Sequence, residues 1–323
     1  MRLTPAGSPA APARPLARVF RRVGLLTALQ FTAMALSAAP LSIDLVLSGR
    51  DPVYDQVADG FAAALEASVA GRKARVTRSL AAGFEATDAP VTVAIGMRAC
   101  QVALESPAAG QLLCTFVPEA GFLPLSSRTG RRDVAAIYLD QPSLRQFALA
   151  RALLPDALAA GLLAGPEVGR QSGRYRQAAE GFGFEARFEP VASSDDAAVA
   201  IRTLTAQSDV IVAAYEPDVL TPSTARWLLR AAHRRRIPII GYSQAFVDSG
   251  ALAAVLTIPE QVGRQAADAV LRWSSTGRDR LRRRVYPRDF RVAVNRSVAT
   301  TFGVEPPPDA ALVRRVEMLS KPR

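Results

Sequence analysis

The chain has 323 residues, 49% of them hydrophobic and 21% charged, which supplies apolar material for two cores on the expectation of about 150 residues per domain. That balance excludes a disordered or collagen-like chain. The formal charge of +11 invites a nucleic-acid reading, but five arginines (Arg2, Arg14, Arg18, Arg21 and Arg22) fall in residues 1–39, which carry no acid, so the remainder stands at +6.

Residues 14–22 are positively charged, 23–36 form an apolar stretch, and the small residues Ser37, Ala38 and Ala39 follow. That order is the order of a secretory signal. The apolar run falls short of the roughly 20 residues that span a bilayer comfortably. A cleaved signal peptide over 1–39 and a periplasmic location are therefore expected, with cleavage after 37, 38 or 39 left open. No cysteine lies near, so a lipid anchor is not indicated.

Beyond the signal the pattern alternates. A buried strand is predicted at 43–47, a polar loop at 48–52, a helix from about 54 to 69 and a second strand at 74–78. Residues 79–90 are irregular. A third strand covers 91–95 and enters a helix at 96–98, and a fourth covers 112–117. Pro118, Gly121, Pro124 and Gly130 then break the rhythm, so 118–133 is read as a boundary region. A second series follows, with strands at 135–139, 159–163, 184–190 and 210–214, and helices at 144–154, 166–181, 195–207 and 222–235.

Residues 237–273 close that series with a strand at 237–241, a polar turn bearing an aromatic at 242–249, a strand at 253–258 and a long helix. The helix carries Val262, Ala266, Ala269, Val270 and Trp273 on one face. Thr257 and Glu260 have capping-box spacing, and Pro259 falls in the first turn, where its missing N–H has no helical partner to lose. A strand at 290–294, a short helix near Ser297 and a tail introduced by Pro306-Pro307-Pro308 complete the chain. Strands alternating with helices of this length imply parallel sheets in right-handed β-α-β units, and two such series imply two similar lobes. The two cysteines, Cys100 and Cys114, suit an exported protein. One falls on a helix and the other on the next strand, and their pairing is left open because sequence does not give their separation.

Enzyme signatures are absent. There is no P-loop, and Gly181-Phe182-Gly183 follows a helix rather than a strand, the reverse of the dinucleotide-binding order. The lone histidine, His233, sits at a helix end beside three arginines, and one His with two Cys makes no typical zinc set. No Gly-x-Ser-x-Gly elbow feeds it. Asp195-Asp196 reads as a helix start. No catalysis, metal or cofactor is expected. The basic runs at 233–236 and 278–284 lack interleaved aromatics and any nucleic-acid motif, so no nucleic-acid partner is expected either.

Ligand candidates lie in loops after strand C-termini, where α/β sheets bind ligands. In the first lobe these are Ser48 and Arg50 with Tyr54, then Gly96, Met97 and Arg98, then Thr115 and Phe116. In the second they are Glu167, then Tyr215 and Glu216, then Tyr242 and Ser243 with Phe246, while Asp140 falls near the crossover. An anionic ligand group on helix N-termini at Gly96 or Ser243, with aromatic packing on Tyr54, Tyr215 or Phe246, is the chemistry this set suggests. The alternative for each is local capping (Ser48) or core packing (Tyr54, Phe116).

The runs Ile137-Tyr138-Leu139-Asp140-Gln141-Pro142, Arg151-Ala152-Leu153-Leu154-Pro155 and Gly161-Leu162-Leu163-Ala164-Gly165-Pro166 resemble the ABC-transporter substrate-binding proteins of the tryptophan/tyrosine-uptake type. So do Arg236-Ile237-Pro238-Ile239-Ile240-Gly241-Tyr242-Ser243 and Ile258-Pro259-Glu260-Gln261-Val262-Gly263-Arg264-Gln265-Ala266-Ala267. The resemblance implies an α/β fold of two Rossmann-like lobes with parallel sheets joined by a multi-strand hinge, type I periplasmic-binding-protein-like. It implies an N-terminal lobe of 40–134 plus about 259–285, a C-terminal lobe of 135–258 plus about 286–295, and a tail at 296–323. Where that family often carries Asp-Pro-Val and a glycine, this chain has Phe116-Val117-Pro118-Glu119-Ala120-Gly121, with no aspartate. The implied function is capture of a small polar or aromatic molecule by hinge closure, with delivery to a membrane permease. The alternative is a ligand-sensing partner of a membrane signalling protein.

Overall fold

A computed structural model of the chain describes residues 40–68, 74–107, 110–131, 134–276, 281 and 284–321. The expected signal peptide lies outside the described residues, as does most of the basic run at 278–284.

The first sheet is built from β1 (Leu41–Leu47), β2 (Ala74–Leu80), β3 (Val91–Ile95), β4 (Gln111–Val117) and β5 (Val134–Tyr138). Every residue of β3 and β5 is buried, as expected of strands covered on both faces of a parallel sheet. The helices between them are α1 (Pro52–Ser68), α2 (Met97–Glu105) and α3 (Glu119–Arg128). The chain then crosses to the second lobe through residues 139–142. There it forms α4 (Ser143–Leu153), β6 (Ala159–Ala164), α5 (Pro166–Arg170), α6 (Ser172–Gly181) and β7 (Glu185–Pro190). After these come α7 (Ala197–Gln207), β8 (Val210–Val212), α8 (Pro222–Arg234), β9 (Ile239–Gly241), α9 (Gln244–Asp248) and β10 (Ala253–Leu256). Residues 257–258 return it to the first lobe for α10 (Pro259–Thr276) and the edge strand β11 (Arg284–Val285). Residues 286–290 carry it back for β12 (Arg291–Val294), α11 (Arg296–Thr301) and α12 (Asp309–Leu319).

The strand orders are β11-β5-β4-β3-β1-β2 and β12-β10-β9-β8-β6-β7. The first sheet is parallel throughout, and in the second only β12 runs antiparallel, against β10. Two similar lobes are thus present, with three corrections to the sequence reading. Residues 134–138 pair with β4, so β5 belongs to the first sheet and the crossing lies after Tyr138, not at 135. The supposed boundary at 118–133 contains α3. Its interior Pro124 forgoes a helical hydrogen bond, but burial of Phe122 and Leu125 in the first core holds the helix. The tail is also structured, since Leu312 and Val316 of α12 are fully buried against the second core beside α4.

α10 returns to the first lobe by lying across α1, with Val262, Ala266, Ala267 and Val270 packed into the cluster that holds Val57, Phe61 and Leu65. The two backbones meet at glycines. A Cβ on Gly60 would lie 2.2 Å from the Glu260 carbonyl oxygen, and one on Gly263 would lie 2.0 Å from that of Val57. The capping-box reading of Thr257 does not hold. Its hydroxyl instead donates to the Leu139 carbonyl (2.7 Å) and accepts from Gln141 Nε2 (2.7 Å), joining the first two crossings. Arg145 joins the third. Its guanidinium donates to Gln141 Oε1 (2.7 Å) and to the Pro287 and Arg288 carbonyls (2.8 Å each), and stacks 4.4 Å from the Phe290 ring centroid.

Cys100 on α2 and Cys114 on β4 form a disulfide, with Cα atoms 5.3 Å apart and a sequence separation of 14. Replacing both by alanine should lower stability by about 3 kcal/mol, the loop-closure value for a ring of this size, measured by urea unfolding under non-reducing conditions. Arg145→Met, which keeps bulk and removes charge-assisted donors from two part-buried acceptors and an exposed one, should cost about 2–3 kcal/mol in the same assay.

Candidate functional site

The C-terminal edges of both sheets face a cleft of about 520 Å³ between the lobes. Its walls come from the segments that follow the strands. Phe116, Pro118 and Glu119 follow β4, and Leu139 and Asp140 follow β5. Glu167 and Val168 follow β6, Ala214 and Tyr215 follow β8, Tyr242 and Ser243 follow β9, and Thr257 follows β10. Val53 and Gln56 of α1, Gln171, Arg174 and Tyr175 at the start of α6, and Tyr286 and Arg291 around the third crossing complete the lining.

Phe116 is placed there by a backbone irregularity. Strand register shifts between Thr115 and Val117, and Phe116 takes φ 58°, a left-handed conformation that strains a bulky residue. Beside it the Thr115 hydroxyl is fully buried without a hydrogen-bond partner among the described residues.

Carboxylates dominate the polar chemistry. Asp140 accepts the Glu119 N–H through Oδ2 at 2.7 Å, which satisfies the N-terminus of α3. Glu119 accepts the Tyr286 hydroxyl and, across the cleft, Arg174 Nη1 at 3.1 Å. The same Arg174 reaches the Tyr286 hydroxyl and Gln171 Oε1. Glu216, only 1% exposed, accepts the N–H groups of Val168 (2.5 Å) and Glu167 (3.3 Å) at the start of α5.

Burial, partly offset by backbone donors and reinforced by the charges of Glu119 and Glu167, raises the Asp140 carboxyl from 3.8 to about 6. Burial likewise raises the phenols, Tyr138 to about 12, and Tyr175 and Tyr215 with further help from the Asp140 charge. In Tyr286 burial and its hydrogen bond to Glu119 act together. All these phenols stay protonated at neutral pH and can donate or accept.

Of the sequence candidates, Phe116, Asp140, Glu167, Tyr215, Tyr242 and Ser243 line the cleft together. The others do not reach it. Ser48 donates to the Ile95 carbonyl (2.8 Å) and accepts the Ala99 N–H (3.0 Å), so it caps α2. Tyr54 packs against the first core and over Gly96, whose φ of 84° suits glycine alone. Met97 packs on Gly121, while Arg50 and Arg98 face solvent. Thr115 lies beneath the wall, Glu216 behind α5, and Phe246 in the second core, 5.0 Å behind the Tyr242 ring. The expected anion seat at Gly96 is therefore closed by Ser48 and Tyr54, and at Ser243 the side chain accepts the Phe246 N–H of α9 (3.3 Å). Sequence reasoning missed Glu119, Arg174, Tyr175 and Tyr286. Arg174, Tyr175 and Tyr286 come from a helix start and a crossing, outside the strand-end rule, whereas Glu119 follows β4 directly, in the stretch read as a boundary.

Comparisons with known proteins agree on the fold. A family profile described as ABC transporter substrate binding protein matches residues 140–304. Curated protein sequences contain no match. Among solved structures the chain is similar to the ligand-free, open form of CD0873, a substrate binding protein with adhesive properties from Clostridium difficile. The TM-score is 0.66 at 19% identity, over 83% of this chain and 96% of that one. It is also similar to an ABC domain from Streptococcus pneumonia in complex with L-Trp, with a TM-score of 0.57, 15% identity and coverage of 85% and 98%. A conserved domain protein from Vibrio cholerae gives 0.56 and 20% identity, over 85% and 97%. Likeness at these identities establishes the fold, two Rossmann-like lobes of the type I periplasmic-binding-protein kind.

The buried Asp140 gives a stability test with a definite sign. Between about pH 4 and pH 6 the folded chain holds a proton that the unfolded chain has released, so stability falls as pH rises through that window. Asp140→Asn keeps the acceptor for Glu119 N–H and removes the charge. It should be more stable than the parent by about 2–3 kcal/mol at pH 8, and no more stable at pH 4, by denaturant unfolding at the two pH values.

Proposed function

Since this chain belongs to the family of ABC transporter substrate-binding proteins, we propose that it is exported to the periplasm, closes its two lobes on a small polar or aromatic molecule, and hands that molecule to a membrane permease. The observation that carries the proposal is the cleft itself. Residues from both lobes converge on one volume of about 520 Å³, in the size range of small-molecule sites, and three chain crossings leave the lobes free to hinge around it. Tyr175, Tyr215, Tyr242 and Phe116 supply apolar contact area, and Asp140, Glu119, Glu167 and Ser243 supply the few polar groups that orient a ligand.

Closure follows from contacts that only the closed state offers to the ligand, so binding shifts the population toward it. The residues proposed to touch the ligand are Phe116, Asp140, Glu167, Tyr175, Tyr215, Tyr242 and Ser243. Ser48, Arg50, Tyr54, Gly96, Met97, Arg98, Thr115, Glu216 and Phe246 are given structural or surface roles.

A thermal-shift screen of amino acids, amines, nucleosides and organic acids should return a stabilising compound. Small-angle scattering should then show a smaller radius of gyration with that compound than without it. Tyr242→Ala should weaken its binding about tenfold or more, the scale of losing one buried aromatic contact. A folded sample that responds to nothing in the screen would count against a solute receptor. Fractionation of expressing cells tests location: a mature N-terminus between residues 38 and 40 in the periplasmic fraction is expected, and an uncleaved chain in the membrane fraction would overturn it.

A further inference from the structure

The cleft has an imbalance between charged acceptors and free cations. Several of its side-chain donors are spent on the protein, and those left over are neutral, chiefly the phenols of Tyr175, Tyr215 and Tyr242. Among the described residues, Gln141 Nε2 goes to Thr257 (2.7 Å), Gln146 Nε2 to the Ala213 carbonyl (3.0 Å) and Gln244 Nε2 to Asp248 (2.8 Å). Arg174 directs Nη1 to Glu119, Gln171 and Tyr286. Arg291, the other cation of the lining, is solvent-exposed and bonded to Gln244 (3.2 Å).

The acceptors are in surplus. Asp140 has no ion-pair partner among the described residues, and its hydrogen bond from another residue is the single N–H of Glu119. Glu119 and Glu167 each use one of two carboxylate oxygens. Three helix starts at the cleft are filled by the protein's own oxygens, from Asp140 at α3, Glu216 at α5 and Ser243 at α9.

Tyrosines share the cleft with this carboxylate, Tyr175, Tyr215, Tyr242 and Tyr286 among its lining. The Asp140 charge reaches the phenols of Tyr138, Tyr175, Tyr215 and Tyr286, and the Tyr215 and Tyr242 rings meet edge to face at 6.1 Å. An uncompensated carboxylate in a cleft lined by aromatic rings suits an ammonium, which gains the ion pair and can gain the ring quadrupoles. A ligand carboxylate brought to the same place would meet like charge, which the neutral phenol donors beside it do not offset.

We propose that the cleft takes an organic cation, an ammonium compound without a carboxylate, seated with its charged nitrogen on Asp140 among Tyr175, Tyr215 and Tyr286. This rests on the reading of the cleft as the ligand site. It also explains why Asp140 carries no protein cation: the ligand supplies one, and an empty site leaves the carboxyl to be neutralised by a proton, in keeping with its upward shift.

The test is calorimetric titration with three matched sets: the amines 2-phenylethylamine, n-butylamine and choline; the carboxylates phenylacetate and butyrate; and the amino acids phenylalanine and norvaline. At least one amine should bind and its carboxylate counterpart should not. Asp140→Asn should weaken the amine by about tenfold to a hundredfold, the worth of a charge-assisted contact, while its thermal unfolding shows it folded. A carboxylate or amino acid that binds as tightly as its amine, with binding lost in Tyr242→Ala, overturns the cation proposal and leaves the cleft as the ligand site. Binding by no member of the three sets overturns the cation proposal, and binding unaffected by Tyr242→Ala overturns both.

Discussion

Arg145 is the point at which the three chain crossings meet. It leaves α4 in the second lobe, bonds Gln141 of the first crossing, and caps the Pro287 and Arg288 carbonyls of the third. Gln141 in turn holds Thr257 of the second crossing, and Thr257 holds the Leu139 carbonyl. Gln265 of α10 completes the knot, donating to the Tyr286 carbonyl (3.2 Å) and accepting the Arg288 N–H (2.8 Å). Three extended segments would otherwise present unpaired backbone groups to a half-buried interior, at about 1–3 kcal/mol each. Pairing them with side chains satisfies those groups and leaves residues 139–142, 257–258 and 286–290 as the three connections between the sheets.

The cleft depends on that knot because its polar groups sit next to it. Asp140 immediately precedes Gln141, and Tyr286 immediately precedes Pro287. Asp140 also sets the position of α3 through the Glu119 N–H, so one carboxylate faces the ligand space and fixes the wall that carries its neighbour Glu119. A displacement of the crossing would therefore move both acidic groups together.

Much of this was legible in the residues. Strands buried on both faces read as short apolar runs, and the helices between them have the 3.6-residue period, so alternation and two-lobe organisation followed directly. Which sheet receives a strand is not a local property, and 134–138 looked like the start of a new series because the pairing partner of β5 lies about 20 residues earlier in β4. α3 was hidden by Pro118, Gly121 and Pro124, since its stability comes from burying Phe122 and from a carboxylate supplied by Asp140, 21 residues away. α12 was hidden by the prolines before it, although Leu312 and Val316 have the spacing of one helix face. At the site, strand-end logic found Tyr215, Tyr242 and Asp140. It also selected Ser48, Tyr54 and Phe246, because capping, core packing and ligand contact draw on the same residue types.

The lobes already touch across the cleft through Arg174 and Glu119, with Tyr286 between them, and the energetics of that contact bear on what controls closure. The Arg174 side chain is 48% exposed, so the pair is partly screened and is worth no more than about 1 kcal/mol. Taking a two-state hinge from mostly open to mostly closed requires about 5.5 kcal/mol of differential binding. The ion pair is therefore too weak to close the cleft alone, but it biases the empty protein toward geometries in which Tyr286 and Glu119 are held in position. The remaining energy has to come from the ligand, through contacts made to both walls at once. Asp140 and Glu119 on one side and Tyr175, Tyr215 and Tyr242 on the other line that cleft, and the proposed ligand contacts would draw on them together with Phe116, Glu167 and Ser243.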